Sequence, residues 1–296
     1  MVLVHPAGPY DLALSLKVAG AFSPGPSAAV SALRAPARVQ GAAVIVEVRQ
    51  TQIEPPVLRV SSPQRVGRDR LEALAEWITL AELDLSPFYA LCEGHPRLGR
   101  VTRLLHGLKH FRPASVFEMA VIAITEQQIS LAAAYRIRER LVRRFGQEVG
   151  GVWVFPSPER LSGADPSELA SCGLSSRKAE YVSELARSVG DGSLDLDSMK
   201  AMGDDEARAL IMARRGFGRW SADYILVRGL GRADVVPADD LGVRTVLGRA
   251  LGAGSRMTAA EVDHALLPFR PYRGLVTFYL LAHDRLSRDG GGASIQ

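Results

Sequence analysis

The sequence has little cysteine and no long apolar run, and both features narrow the class of protein. Its two cysteines, Cys92 and Cys172, lie far apart and outside any C-x-x-C pattern, which excludes a disulfide framework and a thiolate metal cluster. No apolar run reaches the roughly 18 residues that span a bilayer. Residues 1–10 lack the basic segment and the apolar core of a secretory signal. We therefore expect a cytoplasmic protein that has no membrane partner.

The composition is that of a folded protein with a mild excess of positive charge. The chain has 296 residues, 47% of them apolar, which is enough for one large domain or for several small domains that share a core. Its formal net charge of +4 permits attraction to an anionic polymer without identifying one. Basic side chains outnumber acidic ones between Arg100 and Arg144, where they would either attract phosphates or form solvated helix faces.

The pattern of apolar residues changes from strand-like to helix-like after Pro63. Alternating or β-branched composition, interrupted by glycine and proline, predicts a small antiparallel sheet from residues 12–18, 29–33, 42–48 and 57–60. Helical periods follow at residues 70–83, 116–130, 131–145, 176–189, 205–213, 219–229, 240–251 and 275–286. The predicted fold class is therefore α+β, with the boundary between sheet and helices at residues 65–90.

The most informative stretch is residues 214–224, where one predicted helix ends at two near-adjacent glycines and another begins at once. Gly216 and Gly218 permit positive φ and the close approach of another backbone. The first N–H groups of the following helix lack internal partners and lie at the positive end of its dipole, so the turn can bind a phosphate. The alternative on this local pattern is an ordinary antiparallel helix pair with a glycine C-cap.

A second motif follows the hairpin, where Pro237, Asp239 and Asp240 precede another predicted helix. Gly-Phe-Gly-Arg-Trp-Ser-Ala at 216–222 and Pro-Ala-Asp-Asp-Leu-Gly-Val-Arg at 237–244 together resemble the signature of the helix-hairpin-helix DNA glycosylases. The tryptophan in the first motif is similar to the alkylbase branch, of the bacterial 3-methyladenine DNA glycosylase II type. The resemblance covers most of the chain between residues 116 and 286 and, more loosely, the N-terminal sheet.

The resemblance identifies Asp240 as the catalytic residue. A carboxylate at the start of a predicted helix ordinarily serves as an N-cap or in the first turn, and we expect Asp239 to be the cap. Helix capping and catalysis are physically compatible functions for such a carboxylate, because a helix N-terminus stabilises a negative charge. Cleavage of an N-glycosidic bond builds positive charge on the deoxyribose, which a fixed carboxylate would stabilise while it orients or deprotonates the attacking water.

Trp220 and Tyr224 share one face of a predicted helix, a spacing that is also typical of core packing. The resemblance implies that they form a wall of the base pocket. Related enzymes that also cleave the strand have lysine at the position of Trp220, where the amine forms a Schiff base that tryptophan cannot form. We therefore expect hydrolysis without lyase activity. An aromatic wall also favours cationic alkylated purines, by about 0.5–2 kcal/mol.

A base inside a duplex reaches such a pocket only if the nucleotide is flipped out and the gap is filled. The resemblance assigns the filling side chain to Gln128, for which a solvated helix end is the alternative. Further DNA contacts are expected from Gln127, Ser130, Gly216, Gly218 and Arg219. The expected partner is double-stranded DNA with a damaged base, bound by a monomeric protein associated with the nucleoid.

Residues 277–281 depart from several related enzymes, because they lack a tryptophan that follows the Pro-aromatic-Arg element. Tyr272, Phe278 or Tyr279 would then supply the missing wall of the pocket. The C-terminal four-cysteine iron–sulfur loop of the endonuclease III and adenine-mismatch relatives is also absent, which argues against those branches.

The sequence contains little that indicates a metal or cofactor site. His106 and His110 have helical spacing but no third ligand, so a surface pair is expected and no metal site. The resemblance implies no cofactor, apart from a monovalent cation that backbone carbonyls can hold in related hairpins.

The sequence thus predicts an N-terminal antiparallel α+β domain at residues 1–88 and a mainly α-helical core of two subdomains. Residues 89–115 and 231–290 would form the subdomain with the catalytic aspartate, and residues 116–230 the subdomain with the hairpin. The predicted function is release of alkylated purines of the 3-methyladenine and 7-methylguanine type. The alternatives are the same machinery directed at deaminated or oxidised bases such as hypoxanthine, and a non-catalytic protein that only binds DNA.

Overall fold

The computed structural model describes residues 1–22 and 31–289. An antiparallel sheet in the order β1-β4-β3-β2 forms the N-terminal part. Its strands are β1 (Val2–Val4), β2 (Leu33–Val39), β3 (Ala42–Gln52) and β4 (Val57–Ser61). The first ten helices are α1 (Leu12–Ala21), α2 (Arg68–Thr79), α3 (Ser86–Glu93), α4 (Pro96–Leu104), α5 (Val116–Glu126), α6 (Leu131–Phe145), α7 (Pro158–Ser162), α8 (Pro166–Ser171), α9 (Ser176–Gly190) and α10 (Asp204–Met212). The remaining four are α11 (Arg219–Arg228), α12 (Leu241–Ala250), α13 (Ala259–Leu266) and α14 (Arg273–Asp289). These elements confirm the α+β class.

The N-terminal sheet differs from the prediction in three places, the first of which is the unpredicted strand β1 (Val2–Val4). Residues 12–18 were predicted as a strand, but they begin helix α1, which Asp11 caps by accepting a hydrogen bond from the Leu14 N–H at 2.8 Å. The prediction was wrong because the buried residues Leu12, Ser15 and Val18 fit a helical period, which a short apolar segment does not distinguish from alternation. Of the predicted strand at 29–33, residues 29 and 30 lie outside the described residues, residues 31 and 32 are not in a strand, and β2 begins only at Leu33.

A short β-hairpin interrupts the helical part, at a place where the sequence indicates only a turn, at Gly150-Gly151. Strands β5 (Gln147–Val149) and β6 (Val152–Val154) pair antiparallel between α6 and α7. The Arg38 side chain, on β2, donates a hydrogen bond to the Phe155 carbonyl at 3.1 Å just after this hairpin. The hairpin therefore connects the N-terminal sheet to the helical part.

Within the described residues, the buried apolar side chains form three clusters. One lies between the sheet and α2, a second joins α5, α6, α9 and α11, and a third joins α3, α4, α12 and α14. The chain leaves the second cluster at Val235 and enters the third at Val236, a few residues before Asp240. Asp240 therefore lies where the two helical clusters meet. The predicted domain boundaries stay a prediction.

None of the helices in the described residues is long and apolar enough to cross a membrane.

Candidate active site

The hairpin between α10 and α11 has the glycine geometry that its sequence predicts. Gly216 has a φ of +92°, and a Cβ atom there would lie 2.4 Å from the Tyr181 ring, so no other residue fits without displacing that ring. Gly218 precedes α11 with extended backbone, and no protein atom lies within 4 Å of where its Cβ would be. The two glycines thus have different tasks: Gly216 permits packing, and Gly218 leaves open space in front of the helix.

The N-terminus of α11 has no side-chain cap, so its first N–H groups point out of the helix toward that open space. Arg219, the first residue of α11, has a mostly exposed side chain that lies 3.4 Å from the buried Asp223 carboxylate. Asp223 is also held by Arg208 at 2.6 Å. This end of the hairpin therefore presents backbone donors and a positive charge together, as the predicted phosphate contact requires.

Gln127 holds the hairpin in place. Its side-chain amide donates hydrogen bonds to the Gly216 carbonyl at 2.8 Å and to the Ser221 hydroxyl at 2.9 Å. The backbone carbonyl of Gln127 accepts a hydrogen bond from the Lys178 ammonium at 2.6 Å. Gln127 was predicted to contact DNA, but its amide is engaged by protein, so in this structure it ties the end of α5 to the hairpin.

Gln128, the next residue, differs from Gln127 in both exposure and backbone conformation. It is exposed and has a φ of +54°, a conformation that non-glycine residues seldom adopt and that is common at functional sites. Ser130 is exposed too, and it caps α6 by accepting a hydrogen bond from the Ala133 N–H at 3.3 Å. The chain thus presents Gln128 at a protruding turn whose two ends are fixed by Gln127 and Ser130.

Asp240 is the N-cap of α12, not Asp239 as the sequence suggested. One carboxylate oxygen, Oδ1, accepts hydrogen bonds from the N–H groups of Gly242 at 2.7 Å and Val243 at 3.1 Å. The other, Oδ2, accepts one from Trp220 Nε1 at 2.8 Å. Asp239 is exposed, because the chain begins its helical turn one residue later than predicted. The Asp240 carboxylate is therefore fixed in orientation from both sides.

Trp220 and Tyr224 stack on each other, with ring centroids 5.2 Å apart and an angle of 17° between the planes. Only Tyr224 lines the cavity described next, and Trp220 lies beside it in contact with Asp240. Trp220 is thus placed to hold the carboxylate as well as to extend the aromatic surface.

A cavity of about 290 Å³ opens beside Asp240 between the two helical clusters. Its apolar wall comes from α5, α11 and α14, and Phe22 at the end of α1 completes it. The lining includes Phe22, Phe111, Met119, Ile122, Tyr224, Val227, Phe278 and Leu281. Phe22 was not anticipated, and no local sequence signal identifies it, since α1 reaches the cavity only by packing against α14.

Two of the aromatic residues proposed for the pocket lie elsewhere. Tyr279 is fully buried, and its hydroxyl donates to the Leu108 carbonyl at 2.9 Å, so it belongs to the core of the third cluster. Tyr272 packs near Phe88, with ring centroids 6.1 Å apart, and does not line the cavity. Of the three candidates on this segment, Phe278 is the one that faces the cavity, because on α14 consecutive residues point in different directions.

Glu126 is a cavity residue that the sequence did not single out. Its Oε2 accepts a hydrogen bond from the Tyr224 hydroxyl at 2.8 Å, and its Oε1 lies 3.5 Å from the Arg138 guanidinium. Burial, followed by the Glu126 charge, raises the pKa of Tyr224 far above its usual value, so this tyrosine stays protonated. The helical spacing from Ile122, a buried residue of α5, is the signal that could have identified Glu126 as facing inward.

The two histidines of the predicted surface pair do not share a helix, because α4 ends at Leu104. His106 is exposed and stacks on Tyr89, whereas His110 is buried against Phe278 with ring centroids 5.3 Å apart. The surface pair was therefore wrong for His110. Among residues 1–22 and 31–289, no three side chains of His, Cys, Asp or Glu converge in a way that could hold a metal ion.

Comparison with known proteins relates this arrangement to a family. A family model described as HhH-GPD superfamily base excision DNA repair protein matches residues 121–271. The chain is 30% identical over 209 residues to a DNA-3-methyladenine glycosylase of Bacillus subtilis, covering 69% of each protein. It is also 30% identical over 216 residues to DNA-3-methyladenine glycosylase 2 of Escherichia coli, covering 72% of this chain and 70% of that protein.

Among solved structures, the 3-methyladenine DNA-glycosylase from Archaeoglobus fulgidus has a TM-score of 0.83 to this chain at 28% identity. The alignment covers 97% of this chain and 99% of that one, so it includes the N-terminal sheet. The family match contains the hairpin, the stacked aromatic pair and Asp240. The chain therefore belongs to the HhH-GPD superfamily of base excision DNA repair proteins, the helix-hairpin-helix DNA glycosylases.

Proposed function

We propose that the chain hydrolyses the N-glycosidic bond of alkylated purines in double-stranded DNA, of the 3-methyladenine and 7-methylguanine type, and does not cleave the strand. The observation that carries this proposal is the Asp240 carboxylate, which two backbone N–H groups and one indole N–H hold beside an aromatic cavity. A carboxylate that only capped the helix would not need Trp220 as a third donor. The non-catalytic DNA-binding alternative gives no reason for this arrangement.

The chemistry follows from the charge that develops during bond cleavage. As the base leaves, positive charge accumulates on the deoxyribose, and a fixed anion stabilises it without having to reorganise. Asp240 supplies that anion and accepts a hydrogen bond from, or a proton of, the attacking water. The base departs without a general acid when alkylation has already made it cationic.

The absence of strand cleavage is inferred from the residues at the cavity. A lyase step needs an amine that attacks the sugar and forms a Schiff base. The position beside Asp240 is occupied by Trp220, and no lysine lines the described cavity. Lys178 is committed to two backbone carbonyls at the end of α5, so it is not a substitute nucleophile.

Selection of alkylated purines is supported by the face of Tyr224, which lines the cavity and is stacked on Trp220. A cationic base over such a face gains about 0.5–2 kcal/mol relative to a neutral one. The cavity walls are otherwise mainly apolar, which favours a flat ring that has left the base stack.

The proposed DNA contacts divide between two surfaces. The α11 N-terminus, with Gly218 and Arg219, would bind a backbone phosphate, and Gln128 would fill the gap left by the flipped nucleotide.

A monovalent cation at the hairpin stays a prediction. The carbonyls of Arg214 and Gly216 each accept one hydrogen bond and keep a second lone pair that could bind such a cation. The chemistry proposed here does not require it. We also expect the protein to act as a monomer.

The proposal is tested by incubating the protein with duplexes that contain one alkylated purine, and by scoring free base and strand breaks separately. We expect free base from the wild type, with strand breaks only after treatment with alkali. Breaks without alkali, together with an imine trapped by borohydride, would overturn the assignment of a monofunctional enzyme. A duplex that is bound but releases no base would favour the non-catalytic alternative.

A further inference from the structure

The cavity has a polar end that the proposed hydrolysis does not use. Trp220, Tyr224 and Arg228 follow one another at helical spacing on α11, and Trp220 is the one that contacts Asp240. The Arg228 backbone therefore lies about 12 Å along the helix axis from Trp220. Its side chain lines the cavity, and because helical side chains lean toward the N-terminus of their helix, it extends back toward Tyr224.

The Arg228 guanidinium places a positive charge at this end of the cavity. Its side chain is partly buried, and within the described chain it has no hydrogen bond or ion pair. Burial, and then the charges of Arg228 and Arg112, lower the pKa of the neighbouring His110 well below its usual value, so that imidazole is neutral. Of these groups Arg112 is engaged, because it pairs with Glu82 and donates to two backbone carbonyls. Arg228 is thus a cationic hydrogen-bond donor that lacks an acceptor.

Glu126 supplies an acceptor at the same end. Its side chain is 11% exposed, it accepts a hydrogen bond from Tyr224, and it forms an ion pair with Arg138 at 3.5 Å. A carboxylate offers about four lone-pair sites, so roughly two remain free. Glu126 and Arg228 do not pair with each other. They therefore stand as a separate acceptor and donor near the hydroxyl of Tyr224.

We propose that Arg228 and Glu126 read the edge of the flipped base and select 6-oxopurines, above all 7-alkylguanine, over 6-aminopurines such as 3-methyladenine. This inference rests on the proposed function, because it assumes that the cavity receives an alkylated purine. Guanine presents the O6 acceptor to Arg228, and its N1–H and exocyclic amine donate to Glu126. An adenine-type base would instead turn its N6 amino donors toward Arg228 and leave that guanidinium unpaired.

The distribution of charge along the cavity supports the same choice. Asp240 lines the cavity, and in the proposed reaction it lies beside the sugar and so near the imidazole ring that becomes positive on 7-alkylation. Arg228 lies toward the other end, where the carbonyl oxygen of an oxopurine carries partial negative charge. Glu126 is balanced by Arg138, so the net charge at that end is positive. A 7-alkylated guanine therefore matches both ends of the cavity, whereas an adenine-type base matches only one.

The experiment uses internal competition. Duplex DNA treated with a methylating agent contains both 7-methylguanine and 3-methyladenine, and chromatography of the released bases gives the rate for each lesion in one reaction, after subtraction of spontaneous loss. The variants are Arg228→Met, which keeps the aliphatic stem, and Glu126→Gln, which keeps one acceptor oxygen. Arg187→Met is the matched control, because this exposed residue of α9 is remote from the cavity and loses the same charge.

We expect the wild type to release 7-methylguanine faster, per lesion, than 3-methyladenine. Arg228→Met should lower that ratio by at least about tenfold, Glu126→Gln should lower it in the same direction, and Arg187→Met should leave it unchanged. A ratio that is unchanged in an active Arg228→Met protein would overturn this proposal while leaving the proposed function intact. If Arg228→Met is unfolded by thermal melting, the ratio for Glu126→Gln decides. Release of neither base by the wild type would contradict the proposed function itself.

Discussion

Replacing Trp220 with phenylalanine removes the indole N–H that binds Asp240 while keeping an aromatic ring stacked on Tyr224. A hydrogen bond to a charged acceptor is worth about 1.5–3 kcal/mol. If all of it is lost in the transition state, base release slows by roughly 10- to 150-fold, since about 1.4 kcal/mol corresponds to a factor of ten. The Asp240 carboxylate would remain capped through Oδ1 alone and could rotate away from the sugar.

A second effect acts in the opposite direction. Without the indole donor, Oδ2 carries more negative charge and would stabilise the sugar cation better. We expect the loss of position to dominate, because a displacement of about 1 Å at a reacting group can cost on the order of a hundredfold in rate. The assay is single-turnover release of 7-methylguanine, with Trp153→Phe as control, because that residue lies on β6 outside the cavity. A rate for Trp220→Phe equal to or above that of the wild type would refute this reasoning.

Four further substitutions give distinct outcomes. Gly216→Ala should destabilise the fold by at least about 1 kcal/mol, seen as a lower melting temperature, because its methyl group would meet the Tyr181 ring at a positive φ. Gly218→Ala should fold normally yet bind duplex DNA more weakly in fluorescence titrations, since its methyl group occupies the open space before α11; equal affinity would argue against a phosphate there. Gln128→Ala should slow base release and leave melting unchanged, because the side chain is exposed; undiminished release would exclude it as the gap-filling residue. Burial raises the pKa of Glu118 to about 7, so the folded chain retains a proton that the unfolded chain releases near its ordinary pKa of 4.5. Stability should then fall as pH rises between those values, and Glu118→Gln should remove the fall; parallel melting curves for both proteins would contradict this.

The sequence predicted those features that depend on local pattern. The hairpin glycines, the α6 boundaries and the position of Asp240 at a helix start all follow from neighbouring residues, which set the backbone conformation directly. The errors lie where two local patterns fit equally well. Helix α1 was predicted as a strand for that reason, and the cap of α12 was placed one residue too early.

The cavity was harder to predict because its walls come from distant parts of the chain. Phe22, Glu126 and Arg228 meet there only after three helices have packed, and no motif joins them. Sequence spacing fixes how the side chains of one helix are oriented relative to one another, but it does not fix how the whole helix is rotated about its axis against its neighbours. Phe278 therefore faces the cavity, while the next residue, Tyr279, is buried in the core. For the same reason the sequence could not tell that Gln127 is held by the hairpin while Gln128 is exposed.

The most direct test of the account is single-turnover base release by Asp240→Asn. Asparagine can still cap α12 through its carbonyl oxygen, so the fold and the DNA affinity should persist, while the negative charge and the hydrogen bond from Trp220 Nε1 are both lost. We predict a fall in the rate of release from an alkylated duplex on the order of a hundredfold or more. A variant that binds the duplex and releases base at a rate close to that of the wild type would contradict the central claim that Asp240 stabilises the departing sugar cation.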